Sequence, residues 1–190
     1  MKLTKGCYGY LKSRKKREII KTIVYFALPL AIFLMGYYTT GTKKNLLTVV
    51  AVLGALPASK SAVSLIMYLK AGVCSASCHE AMLERGLDTG STLMLYDLYL
   101  TSYQKNFQIS VMAVKNNVIC GYTEDNACDI GAGEKHIAEI MRQNGYEGLT
   151  VKLFADRSRF MDRLTQMNEA AEKKEEKEKA IAEIIKDISL

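Results

Sequence analysis

The sequence predicts a two-helix transmembrane hairpin followed by a small α+β cytoplasmic domain, order α-β-β-β-α-β-α, with a long charged C-terminal helix. Three observations carry that fold class. Two long apolar stretches lie close together near the N-terminus. From residue 70 onward, short segments of strand and helix periodicity alternate. The net charge of +6 is also uneven, since residues 1–21 hold eight basic residues against the single acid Glu18. The boundaries that follow are 1–21, a basic cytoplasmic N-terminus; 22–42, the first span; 43–44, an external loop; 45–69, the second span; 70–168, the α+β domain; and 169–190, a charged amphipathic helix.

Residues 22–42 carry no charge, and a helix of that length crosses a hydrocarbon core of about 30 Å. The stretch is long for a signal peptide and no small-residue cleavage pattern follows it. Tyr37 and Tyr38 suit the far interface. The connection at Lys43 and Lys44 is too short for anything but an antiparallel pair of helices. Ala51, Ala55, Ala58 and Ala62 recur on one face of the second span, where small residues let helix backbones approach in lipid. Eight basic residues before the first span against two in the loop place the N-terminus inside, and with it the C-terminal domain of a multi-pass cell-membrane protein. The basic segment suits anionic lipid head groups, and its position beside a span argues against nucleic acid as its partner.

Lys60 is the one charge within either span. Counted back from Lys70 it lies roughly 15 Å deep, which makes it an intramembrane polar candidate. A break at Pro57, or a tilt, would let it snorkel to the interface.

In the domain, residues 75–86 read as a helix capped by Ser75 or Ser77 and stopped by Gly86. Residues 93–102 read as a strand, followed by a turn at Gln104, Lys105 and Asn106. In the next strand, 107–115, alternation puts Phe107, Ile109, Val111 and Ala113 on one face. Asn116-Asn117 offers a tight turn into a third strand, 118–123. Residues 133–144 form a helix with Gly131-Ala132-Gly133-Glu134 as its entry turn, 149–154 a fourth strand, and Asp156 or Ser158 opens the last helix. That helix runs on through the apolar-free Glu172–Lys179 into a stripe at Ile181, Ile184, Ile185 and Ile188. The stripe needs a cover: the domain itself, a second copy or a protein partner.

Chemistry-bearing residues are sparse. Cys74, Cys78, His79, Cys120, Cys128 and His136 lack the spacing of a zinc knuckle, and reduced cysteines pack well as small apolar residues. No metal site and no cofactor is expected. Asp97, Lys115 and a helix acid, Glu80 or Glu84, are the catalytic candidates. The order helix–three strands–helix–strand, with Asp97 on an early strand and Lys115 on the next, is similar to the core layout of the restriction-endonuclease-like superfamily, including its nuclease-related, membrane-associated members. The resemblance covers about 80 residues and implies a divalent metal held by Asp97, by a second acid two residues before Lys115, and by a helix glutamate. Ala113 occupies the second acid's place. The expectation is therefore a protein-interaction or adaptor module docking through its surface or through the C-terminal helix at Ile181, Ile184, Ile185 and Ile188. A degenerate metal-dependent nuclease is the alternative.

Overall fold

The computed structural model describes residues 3–87, 92–103, 105–169 and 175–190. The expected turn residue Gln104 and residues 172–174 of the charged run lie outside the described residues. The chain divides into two units: residues 12–71, and a globular unit formed by residues 1–11 together with 72–190. Residues 3–11 thus belong to the globular unit rather than to a separate basic tail, so residues 12–71 are inserted into it.

The inserted unit is a pair of helices, α1 (Tyr10–Thr40) and α2 (Leu46–Lys70). Both are long and apolar enough to cross a membrane. The basic stretch expected to precede the first span is itself helical from Tyr10 onward, and each helix runs unbroken through its proline, Pro29 or Pro57. Asn45 starts α2 by accepting from the Thr48 amide at 2.8 Å.

Three contacts spaced seven residues apart set the register of the pair. The Thr22 and Ser61 hydroxyls are hydrogen-bonded at 2.8 Å. A Cβ on Gly54 would meet Pro29 at 3.2 Å, and one on Gly36 would meet Leu47 at 2.8 Å. Each pair of residue numbers sums to 83, so residue n of α1 lies level with residue 83 − n of α2. Of the expected alanine face, Ala51 and Ala58 are buried and Ala55 is exposed. Ala51 and Ala58 thus share the contacting seam with Gly54 and Ser61, and Ala55 lies off it.

In the globular unit, β1 (Leu93–Thr101), β2 (Asn106–Lys115) and β3 (Val118–Tyr122) form an antiparallel meander. Strand β4 (Thr150–Phe154) pairs parallel with β3, giving the order β1-β2-β3-β4. A parallel neighbour requires a crossover, supplied by α4 (Ile130–Gln143). Helix α4 and α6 (Glu175–Asp187) pack on one face through Ile137, Met141, Ile181 and Ile185. Helix α3 (Ala76–Glu84) and α5 (Arg157–Glu169) pack on the other through Cys78, Met82, Phe160 and Leu164.

Several elements differ from expectation for definite reasons. Helix α4 begins at Ile130 because Asp129 accepts from the Ala132 amide, so the Gly131–Glu134 segment is helix rather than entry turn. Gly133 packs closely there, and a Cβ at that position would meet the Leu153 side chain at 2.9 Å and make it shift. The last helix is described as two elements on opposite faces, not one.

The expected single face of β2 is also corrected. Phe107 and Ile109 pack with α4 and α6, whereas Val111 and Ala113 pack with α3 and α5. Strand β1 changes sides at the matching place, with Tyr96 on the α3/α5 side and Leu98 on the α4/α6 side. Between them Asp97 sits at φ +56°, and Ser110 lies opposite it in a register that skips both residues. A left-handed residue interrupts the two-residue period and turns every later side chain to the other face.

Ile185→Ala is expected to cost about 3 kcal/mol, because the side chain is fully buried against β1 and β2. Ile184→Ala, at a half-buried position, costs less than half as much. The shift of the urea midpoint of the full chain in detergent measures both.

Candidate functional site

Most of the sequence candidates that meet do so at the start of α3. Ser75 caps the helix by accepting from the Cys78 amide at 3.1 Å. Two carboxylates hold the same turn from the sheet. Asp97 Oδ1 accepts from the Cys74 amide at 2.8 Å, and Glu124 accepts from both the amide and the hydroxyl of Ser75. His79 stacks on Tyr8 with ring centroids 3.8 Å apart and meets the edge of Tyr96 at 5.2 Å. Its Nδ1 is buried without a hydrogen-bond partner among the described residues.

The electrostatics follow from burial and from one thiol pair. The Cys74 thiol donates to the Ser75 carbonyl at 3.6 Å, and its side-chain interaction with Cys78 raises Cys74 above the ordinary thiol value and lowers Cys78 below it. Burial pushes the Tyr8 phenol up, with Cys74 and then Asp97 adding to the shift. Both thiols are almost wholly shielded, so the pair serves as packing. The arrangement fastens the chain re-entering at residue 72 onto the sheet.

The other catalytic candidates stand apart. Lys115 is buried at the far end of β2, where its Nζ donates to the Asn168 carbonyl at 3.2 Å. It lies five residues beyond Ser110, the residue opposite Asp97, hence about 16 Å away along the strand. Ala113 is packed between α3 and α5, and Glu80 and Glu84 lie exposed on α3. Among the described residues, no group of three or more His, Cys, Asp or Glu side chains is arranged to hold a metal ion.

Comparison of the chain with protein-family profiles, with curated proteins and with solved structures returned no match.

The C-terminal stripe has its cover within the chain. Ile181 and Ile185 are fully buried and Ile184 and Ile188 partly so, packed with Leu95, Leu98, Leu100 and Ile109. Around them, Glu178 accepts from the Asn116 amide at 2.7 Å, the Leu190 amide donates to the Tyr99 carbonyl, and Lys5 donates to the carbonyls of Lys186 and Ser189. Of the three covers open from the sequence, the domain itself is the one observed. Helical spacing shows which face is apolar, and the β1 edge supplies what covers it.

Lys60 is exposed on α2. By the helix register it lies level with Ile23, one residue inside the first uncharged position of α1, Thr22. The last three turns of α2 run beside the basic part of α1.

A surface feature that the sequence did not single out lies between α4 and the end of the β1–β2 hairpin. A cavity of about 640 Å³ is lined by Thr101, Ser102, Tyr103, His136, Glu139, Ile140 and Gln143. A second, of about 380 Å³, shares Ser102 and His136 and adds Phe107, Asp129 and Ala132. The His136 ring lies 5.5 Å from Phe107, and its Nε2 is buried with no partner among the described residues. Tyr103 is fully exposed. Lys105 pairs with Asp129 at 2.8 Å and holds that carboxyl below its usual range. The available signal was a bulky aromatic at a hairpin tip, where packing gives it no role.

Asp97→Ala is expected to cost about 3 kcal/mol, by removing a charged acceptor from a buried amide and placing Ala at positive φ. Asp97→Asn, which keeps an acceptor oxygen and tolerates that backbone, costs less than half as much. Faster hydrogen exchange at the Cys74 amide in the alanine variant alone is the accompanying readout. Alkylation of the native protein proceeds at the exposed Cys7 and spares Cys74, Cys78 and Cys120 until unfolding. Early labelling of Cys78 would contradict the packing role.

Proposed function

We propose that the chain is a two-pass protein of the cell membrane whose cytoplasmic domain recognises a protein partner and performs no chemistry of its own. The membrane part rests on the two long apolar helices and on the contacts of residues 3–11 within the globular unit. The Tyr96 amide donates to the Gly6 carbonyl, and Tyr8 stacks on His79. Because both ends of the helix pair join one globular unit, any membrane is crossed an even number of times. The excess of basic residues at that end over Lys43 and Lys44 assigns it to the cytoplasm. The slab then lies between the Thr22–Ser61 level and the loop, leaving Lys60 at its inner edge and Lys12–Lys21 among anionic head groups. A slab reaching Lys70 would take in Arg14, Lys15, Lys16, Arg17 and Lys21, each at ~2.5–3.5 kcal/mol.

The recognition part is carried by the groove beside Tyr103. It joins an exposed aromatic, an apolar floor at Phe107 and Ile140, and a buried His136 nitrogen without a partner. Such a concave site with few polar groups fits an apolar side chain of a partner protein. Purification of the tagged chain from its native membrane in mild detergent, with and without Tyr103→Ala and Ile140→Glu, tests it. A stoichiometric protein companion reduced at least tenfold by both substitutions is expected. A companion indifferent to both, or none, removes the recognition reading.

A metal-dependent nuclease is the second reading, favoured by the strand order and by helices on both faces of the sheet. Ala113 and the separation of Asp97 from Lys115 weigh against it. Magnesium- or manganese-dependent cleavage of DNA or RNA, lost in Asp97→Asn while the fold persists, would establish it in place of the first.

A further inference from the structure

The two helices of the hairpin disagree in polarity at one end. From residue 12 to residue 21, α1 carries Lys12, Arg14, Lys15, Lys16, Arg17 and Lys21. The level segment of α2, residues 62–71, is uncharged from Ala62 to Leu69. Ser61 and Tyr68, on its inner side, are buried. On its outer side Val63 and Ile66 are 59% and 53% exposed. The same outer face continues through Leu56, Val52 and Val49, all exposed, with Ser59 between. The steps along 49, 52, 56, 59, 63 and 66 alternate three and four, which is the spacing of a coiled-coil seam.

Acyl chains cover the part of this face level with the uncharged stretch of α1. They do not cover Ile66, because Arg17 lies level with it and Lys21 lies nearer the slab. Another copy of the chain does supply a cover. It stands in the same membrane at the same height and in the same orientation, so its Val63 and Ile66 arrive level with these. Pairing through the outer faces keeps both cation-rich α1 helices on the far sides of the pair, away from each other. We propose that the outer face of α2 is a self-association surface on which two copies pair in parallel about a two-fold axis along the membrane normal. The pairing rests on the membrane reading above.

A photo-crosslinking residue placed at position 66 of the full chain, and in a separate variant at Leu28 on α1, is activated in intact membranes. The expected product from position 66 is a denaturant-resistant band at twice the 21.2 kDa chain mass, absent from position 28. Val63→Glu with Ile66→Glu is expected to reduce the same band, read from a probe at Leu56, at least tenfold. These positions are exposed, so the fold is not at stake. Crosslinks only to lipid or to a different protein, or a dimer band unchanged by the two glutamates, overturn the pairing. Alkaline carbonate extraction of the same membranes separates the two readings. Release of the chain overturns the membrane reading itself, whereas retention without a dimer overturns only the self-association.

Discussion

The globular unit depends on one residue held against its backbone preference. Asp97 occupies left-handed φ in the middle of β1, a conformation that costs an ordinary residue about 1–2 kcal/mol. Its carboxylate accepts from the Cys74 amide, an interaction strong enough to offset that cost. The consequence reaches across the sheet. Because β1 changes sides there and β2 changes sides at Ser110, each strand delivers large apolar residues to both faces. Helices α4 and α6 meet Leu98, Leu100, Phe107 and Ile109, while α3 and α5 meet Tyr96, Val111 and Ala113. Unbroken alternation would carry Phe107 and Ile109 to the side of Val111, leaving the α4/α6 side without two of its largest contacts.

Five further acids hold backbone amides in the same way. Glu124 accepts from Ser75, Glu134 from the Leu153 amide on the outermost strand, Glu178 from the Asn116 amide, and Asp129 and Asp156 from the first turns of α4 and α5. Each satisfies a backbone donor at a helix start, a turn or a sheet edge, where regular pairing leaves one open. A carboxylate so engaged commits one of its acceptor positions to the backbone. For Asp97 that partner is the Cys74 amide, which gives the residue an architectural role independent of its place in the strand order.

What the sequence made legible were features with a local cause. The uncharged stretches, the cap at Ser75, the Asn116 turn and the stop at Gly86 follow from chemistry within a few residues. The features that escaped depend on distant partners. Alternation in β2 cannot reveal the side change at Ser110, since its cause is Asp97 on another strand and Cys74 beyond it. The stripe on α6 looks the same in sequence whether β1 or another molecule covers it. Residues 3–11 show no periodicity, and only their contacts with β1 and α6 reveal them as part of the domain. The Tyr103–His136 groove combines residues from a hairpin and a helix 33 positions apart, with no motif to mark them.

The insertion of residues 12–71 would ordinarily burden the domain. Its first eleven residues must find the rest of the unit across an excursion of 60 residues, and closing a flexible loop of that length costs roughly 3–4 kcal/mol. The helix register removes most of that cost. In a pair whose level residues sum to 83, Lys12 and Ala71 are level with each other, so the chain leaves and returns at the same height. Lys15 fastens that end by donating to the Ala71 carbonyl at 2.5 Å. The seven-residue contacts at Thr22, Pro29 and Gly36 therefore bear on the domain as well as on the hairpin, since a slip of one turn would displace residue 71 from residue 12 by about 5.4 Å. Close approach opposes the slip at both places, since a Cβ on Gly36 would meet Leu47 at 2.8 Å and one on Gly54 would meet Pro29 at 3.2 Å.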